Sequence, residues 1–288
     1  MLGKFPKFKE ALNYLPEDAV TLVDKALVLA NKAHKGQVRK SGEDYITHPV
    51  AVATIIANLQ LDPGCIAASL LHDVIEDTDY NYRDILRKFD KDIADLVEGV
   101  TKIKRIPAVT RYENQAENFR KLLMAMCKDI RVLIIKLADR LHNMQTIEFM
   151  PRKHQLRVAL ETLDIYAPLA RRLGVNSLAS ELETLGFEVK HPIRAKILQS
   201  AILRAQGYNS AMLTKITDKV NAQLVEKNIK IDHLKSREKH VYSVYKKMQD
   251  KGISFAEITD MFAIRICVED VNICCLLYTS DAADDMAS

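Results

Sequence analysis

The sequence predicts a mainly α protein: a helical bundle followed by the start of a smaller α/β domain. Three observations predict it. Apolar residues recur at helical spacing in segment after segment, as in Leu22, Ala26, Leu29 and Ala33. No strand signal of any strength precedes roughly residue 190. Beyond that the texture changes: Ile229-Lys230-Ile231 alternates like a strand, and Phe262-Ala263-Ile264-Arg265-Ile266-Cys267-Val268 is a stronger one. Helices following one another without interleaved strands pack as a bundle and not as a layered sheet.

The chain has 288 residues, enough for one large or two ordinary domains, and its 48% hydrophobic content supports a sizeable core. Lys+Arg 42 against Asp+Glu 38 gives a net charge of +4, too mild to point to nucleic acid. No apolar run reaches membrane-spanning length, and Met1 to Glu10 mixes lysines, phenylalanines and a proline, unlike a signal peptide. The five cysteines are scattered and odd in number, with no CxxC pair, which suits a reducing cytoplasm. The expectation is a cytoplasmic protein with neither a membrane nor a nucleic-acid partner.

Leu15-Pro16-Glu17-Asp18 starts a helix, with proline in the first turn and acids at the positive end of the dipole. That helix should run from Ala19 to His34. Lys35 to Asp44 is polar, carries Gly36 and Gly42, and reads as a loop or hairpin-like insert. Pro49 opens a helix from Val50 to Asn58, with His48 in its N-cap region. Leu61-Asp62-Pro63-Gly64 is a turn. Leu70 to Thr78 then reads as helix, followed by Tyr82 to Phe89 and Lys91 to Lys102. Lys104 to Arg111 is a basic connector, Ala116 to Asp129 is amphipathic, and Ile130 to Thr146 is a more apolar helix that Pro151 breaks. Glu161 to Leu173 and Leu178 to Leu185 continue the pattern. Arg194 to Asn228 divides into two amphipathic helices, and Lys235 to Met248 is basic and helical in its second half. After Tyr278 the residues are small, polar and acidic, as in a tail or read-through sequence unrelated to the fold.

Three clusters carry chemistry. On a helix, Leu70, Leu71, Val74 and Ile75 fall on one side and His72, Asp73, Glu76 and Asp77 on the other. Carboxylates packed that closely repel unless a cation or protons neutralise them, and a His-Asp pair suits a site with N and O ligands. A solvated acidic face is an equal reading of this stretch alone. Asp139, His142, Asn143 and Thr146 share one face of an otherwise apolar helix. They form either a buried hydrogen-bond network or one wall of a site, with Asp139 as a metal ligand. His48 completes a two-His, two-Asp set that leaves positions open for water and substrate, as metal-assisted hydrolysis requires. Arg39-Lys40-Ser41-Gly42 lies a few residues before it, and two cations with a hydroxyl suit an anionic ligand.

Arg39-Lys40-Ser41-Gly42-Glu43-Asp44-Tyr45-Ile46-Thr47-His48-Pro49, Leu71-His72-Asp73-Val74-Ile75-Glu76-Asp77-Thr78 and Lys136-Leu137-Ala138-Asp139-Arg140-Leu141-His142-Asn143-Met144 resemble the RelA/SpoT family, most closely its SpoT branch. These are bacterial enzymes of guanosine tetra- and pentaphosphate, (p)ppGpp. The resemblance covers about residues 10 to 275. It implies an HD-type hydrolase domain in which His48, His72, Asp73 and Asp139 bind one Mn²⁺ and Glu76 and Asp77 position or activate the attacking water. It implies further that Arg39, Lys40 and Ser41 hold the guanine nucleotide, with Asn143 and Thr146 as the opposite wall. Ser236-Arg237-Glu238-Lys239-His240-Val241-Tyr242-Ser243-Val244-Tyr245-Lys246-Lys247-Met248 resembles the start of the family's nucleotidyltransferase-like synthetase domain, with serine at Ser236 where the family has glycine. Arg237, Lys239, Ser243 and Lys247 match residues that handle ATP phosphates, and Asp260 matches a Mg²⁺ carboxylate. The family's synthetase continues well past this point, so pyrophosphokinase activity, and with it a role for Mg²⁺, is expected to be missing.

The expected organisation is therefore a hydrolase domain over residues 1–193, a helical connector over 194–227, a truncated synthetase domain over 228–275 and a non-native or disordered tail over 276–288. The expected activity is Mn²⁺-dependent removal of the 3′-pyrophosphate of (p)ppGpp, giving GDP or GTP and pyrophosphate in the stringent response. A (p)ppGpp synthetase, a ppGpp-binding regulatory module without chemistry and another HD-type nucleotide phosphohydrolase are the alternatives.

Overall fold

A computed structural model describes residues 1–104, 128–226, 233–258, 260–271 and 273. The chain divides into two compact units, Met1–Lys190 and His191–Ser288.

Apart from one bridge between Val38 and Asp44, the regular structure among the described residues of the first unit is helical. The succession is α1 (Pro6–Ala11), α2 (Glu17–Ala33), α3 (Thr47–Asn58), α4 (Pro63–Leu71), α5 (Val74–Asp77), α6 (Tyr82–Lys88), α7 (Lys91–Lys104), α8 (Ile130–Gln145), α9 (Arg152–Glu161), α10 (Ala167–Arg172) and α11 (Asn176–Lys190). Helix ends are closed by side chains. Asp62 accepts from Cys65 N at the start of α4, and Asn81 with Asp84 forms a capping box on α6. Asp129 accepts from Arg131 N at the start of α8. Arg131 also pairs with Asp62 at 3.3 Å and Asp92 at 2.6 Å, so one guanidinium ties the first turns of α4, α7 and α8 together.

α8 stands between two apolar clusters. Ile134, Ile135 and Ala138 pack into the core that α2, α3, α4 and α7 build. Leu133, Leu137, Leu141 and Met144 pack into a second core with α9 to α11. Each buried aliphatic side chain contributes about 1.5–3 kcal/mol, so both faces anchor the helix. Lys136, Asp139, His142 and Asn143 occupy what remains, and their polar groups must find partners inside the protein.

Several elements differ from expectation, each for a local reason. Leu70 to Thr78 is not one helix. It breaks at His72 and Asp73, where His72 Nδ1 takes the Ser69 carbonyl at 2.7 Å and competes with the backbone ladder. α3 begins at Thr47, ahead of Pro49, because a proline in the first turn removes only an N–H that has no helical acceptor. Residues ahead of Glu161 are also helical. α9 runs into a π turn over Thr162–Tyr166, and Pro168, which cannot donate to the ladder, follows it. The expected connector from Lys104 to Arg111 and the amphipathic stretch from Ala116 to Asp129 lie almost wholly outside the described residues, as do Ile229 to Ile231 and residues 276–288.

In the second unit, Pro192–Glu226 is a single helix of 35 residues, α12, and not two. β1 (His233–Glu238) pairs antiparallel with β2 (Phe262–Cys267), with Ser236 opposite Ile264. Lys235 to Glu238, the first half of the basic segment, is strand, because the pairing with β2 satisfies its backbone. α13 (Val241–Lys251) follows and ends at Gly252, whose φ of 64° supplies the left-handed cap. Among the described residues no helix is long and apolar enough to cross a membrane.

Candidate metal centre and nucleotide pocket

Three separated segments meet at the break between α4 and α5. His72 and Asp73 are the break itself. His48 lies in the first turn of α3, and Asp139 in the middle of α8. All four are at most 3% exposed. One ligand atom each from His48, His72 and Asp139 lies within 4.8 Å of the others. Asp73 Oδ2 joins them, 3.2 Å from His72 Nε2 and 3.6 Å from His48 Nε2. Asp139 Oδ1 is 3.3 Å from His48 Nε2 and 4.0 Å from His72 Nε2. Two imidazoles and two carboxylates converging in this way suit a divalent first-row ion with positions left over for other ligands.

The local chemistry favours ligation. The Ser69 carbonyl can only accept, so His72 Nδ1 carries the hydrogen and Nε2 turns its lone pair toward the cluster. Burial pushes His48 below its ordinary pKa, against the pull of Asp139. Burial alone would raise the Asp139 carboxyl, but Lys136 and the two imidazoles outweigh it and hold the carboxyl well below the usual range. Lys136 Nζ lies 2.5 Å from Asp139 Oδ2, and Asn143 Nδ2 donates to Oδ1 at 2.6 Å.

His142 is pushed down to about 3, first by burial and then by the nearby His48 and Arg39. Unfolded histidines titrate near 6.5, so as pH falls below about 6.5 the unfolded chain takes up protons that these two folded imidazoles refuse. With a chelator present, the urea midpoint is expected to fall steadily from about pH 7 to about pH 4. A midpoint that stays level across that window would show that the two rings take up protons in the folded protein as readily as in the unfolded chain.

The expected nucleotide residues are only partly gathered. The loop before α3 is a short hairpin with a bridge between Val38 and Asp44. Gly42, at φ 87°, makes its turn. From that loop Arg39 reaches α8: Nη2 donates to Asn143 Oδ1 at 3.1 Å, and Nη1 lies 3.0 Å from His142 Nδ1. Lys40 is exposed. Ser41 Oγ turns to Glu43 at 3.4 Å, and Thr146 Oγ1 donates to its own helix at the His142 carbonyl. Both acids are exposed on α5, and Asp77 Oδ2 accepts from Tyr45 Oη at 2.9 Å.

Tyr45 is a residue that spacing did not single out. Its oxygen also lies 2.7 Å from Asp73 Oδ2, so the single phenol hydrogen is shared between a cluster carboxylate and the outer acid. Burial, with both carboxylates adding to it, keeps this hydroxyl protonated. His34 stacks on its ring with centroids 4.5 Å apart. Tyr45 lies 28 and 32 residues from its partners, beyond the reach of any helical or strand period. In the second unit, Lys239 and Lys247 both bind Asp260, the latter at 2.5 Å, and hold its carboxyl below the usual range. Arg237 lies on β1 opposite Ala263, and Ser243 on α13.

A family model described as an HD domain matches residues 26–176, and one described as a region found in RelA / SpoT proteins matches 236–280. The chain is 47% identical over 261 residues to the bifunctional (p)ppGpp synthase/hydrolase SpoT of Escherichia coli (strain K12), covering 91% of this chain and 37% of that protein. It is 43% identical over 264 residues to the guanosine-3′,5′-bis(diphosphate) 3′-pyrophosphohydrolase of Vibrio cholerae, covering 92% and 37%. It is also 43% identical over 256 residues to the GTP pyrophosphokinase of Myxococcus xanthus, covering 88% and 34%. The chain thus spans little more than a third of the length of these relatives. With an HD domain holding a possible divalent-metal site and a RelA/SpoT region after it, the chain belongs to the RelA/SpoT family and is SpoT-like within it.

Proposed function

We propose that the first unit is a Mn²⁺-dependent phosphohydrolase that removes the 3′-pyrophosphate of (p)ppGpp, giving GDP or GTP and pyrophosphate. The observation that carries it is the meeting of His48, His72, Asp73 and Asp139 beside Asp77, with Arg39 bonded to Asn143 one turn beyond Asp139. The names of the SpoT and pyrophosphohydrolase relatives supply the substrate class. His48, His72, Asp73 and Asp139 would hold the ion. When bound, such an ion supplies Lewis acidity and a more acidic water.

The chain's own groups supply the rest. Asp77, held through one oxygen by Tyr45, keeps its other oxygen to orient a water or take its proton, with Glu76 one residue away as its companion. Arg39 and Lys40 attract the nucleotide phosphates or stack on the base, with Ser41 on the same loop. Asn143 fixes the opposite side, with Thr146 one turn further along the helix end. Water adds at phosphorus as the phosphate–ribose bond breaks, and the 3′ oxygen leaves with a proton. The reading assigns residues 1–193 to the hydrolase domain, 194–227 to a connector and 228–275 to synthetase sequence. It places the enzyme in the cytoplasm, with neither nucleic acid nor membrane as a partner.

The test is ppGpp with the chelator-treated chain, with and without added Mn²⁺, followed by separation of GDP and pyrophosphate. Release only with the metal is expected. Binding of ppGpp that leaves it intact would make the chain a regulatory module instead. Faster turnover of deoxynucleotide triphosphates would make it another HD-type enzyme. A second reading, pyrophosphokinase chemistry in the second unit, draws on Asp260 seated between Lys239 and Lys247. An incubation with ATP and GDP separates that activity from hydrolysis.

A further inference from the structure

His142 is within reach of two groups whose hydrogen-bonding roles constrain each other. Its Nδ1 lies 3.0 Å from Arg39 Nη1 and 2.8 Å from His48 Nδ1. A guanidinium nitrogen only donates, so His142 Nδ1 must present its lone pair. Two lone pairs facing each other at hydrogen-bond distance would repel, so His48 Nδ1 must carry a hydrogen and donate to His142. A neutral His48 then has its lone pair on Nε2, 3.3 Å from Asp139 Oδ1 and 3.6 Å from Asp73 Oδ2, electron-rich atoms that only a cation between them reconciles. That is the form in which His48 can ligate a cation. His72 reaches the same state through the Ser69 carbonyl. His48 has a second imidazole in that place, and an imidazole is an acceptor at Nδ1 only in one of its two neutral forms.

We propose that His142 is a positioning residue that holds His48 in its ligating tautomer, and that Arg39 in turn sets the tautomer of His142. The hairpin loop at residues 37–44 thereby takes part in loading the metal before any nucleotide arrives. The inference rests on the reading of the four-residue cluster as a cation site.

The test uses the full chain without nucleotide and Mn²⁺ alone as the probe, with free ion measured by its electron paramagnetic resonance signal. His142→Leu keeps the bulk and removes the acceptor, and it should weaken Mn²⁺ binding about 10- to 100-fold. His142→Asn places an amide oxygen where Nδ1 stood and should hold binding within about threefold of wild type. Arg39→Ala should weaken binding about two- to fivefold alone and not at all in the His142→Leu background, since the two act in series. Circular dichroism of each variant reports folding. Wild-type affinity in His142→Leu overturns the proposal, and so does a His142→Asn variant as weak as the leucine one. If the leucine variant does not fold, Arg39→Ala decides: unchanged affinity overturns the proposal. A wild-type chain that binds no Mn²⁺ overturns the cation site itself, an outcome distinct from equal binding by wild type and variant.

Discussion

Asp73→Ala is expected to abolish ppGpp hydrolysis and Mn²⁺ binding together. Asp73 offers one of the two carboxylates of the cluster, with Oδ2 3.2 Å from His72 Nε2. It also accepts the Tyr45 hydroxyl that holds Asp77, so the substitution loosens the outer acid as well. A divalent ion stabilises charge in the transition state by several kcal/mol, which at 1.36 kcal/mol per decade makes the loss in kcat about 10³-fold or more. The folded state should suffer much less. Without metal, Asp73 and Asp139 are two acids facing one another across the imidazoles, and removing one relieves that repulsion while losing a hydrogen bond worth about 1 kcal/mol. Turnover assays and urea unfolding of the same preparation check both halves. Full turnover by this variant would remove the metal role assigned to Asp73.

Asp139→Ala should instead damage stability as well as activity. Asp139 is 1% exposed and Lys136 8%, and their charged atoms lie 2.5 Å apart. Taking away the carboxylate leaves a buried ammonium with no counter-charge. Breaking such a pair costs about 3–5 kcal/mol, against a total stability of about 5–15 kcal/mol for an ordinary domain. Replacing both members together, as Lys136→Met with Asp139→Leu, should recover most of the loss, because a matched apolar pair leaves no charge to strand. Urea unfolding of the metal-free variants decides. A single variant that loses less than about 1 kcal/mol would mean that Lys136 reaches solvent and the pair is not sealed.

Much of the site could be read from local pattern. The helical period placed the apolar faces of α2, α3 and α8, and the polar stripe on α8 stood out because a buried helix has few reasons to carry one. The same period misled at Leu70 to Thr78. Treated as one helix, this stretch aligns four polar side chains on one face. The His72–Ser69 bond breaks the ladder, so His72 and Asp73 occupy a turn and Glu76 and Asp77 belong to a separate short helix. Ser41 was expected on the loop that holds the nucleotide and Thr146 on the opposite wall, and their hydroxyls bond within their own segments. Small hydroxyls satisfy a neighbouring acceptor at little entropic cost, and no sequence spacing reports that preference.

What the amino-acid sequence determined unaided is the helical architecture of the first unit, the family, and the identities of the four side chains that converge. Each depends on short-range order: periodicity, caps, and motifs a few residues long. What only the tertiary structure decided is how separated groups pair. Tyr45 bridges Asp73 and Asp77, Lys136 neutralises Asp139 within the core, and Arg39 and His48 share one nitrogen of His142 across more than ninety positions of chain. The physical reason is burial. Once packing on both faces of α8 excludes water, every polar atom left inside must be satisfied by whatever the fold brings beside it, and that neighbour has no fixed distance in sequence.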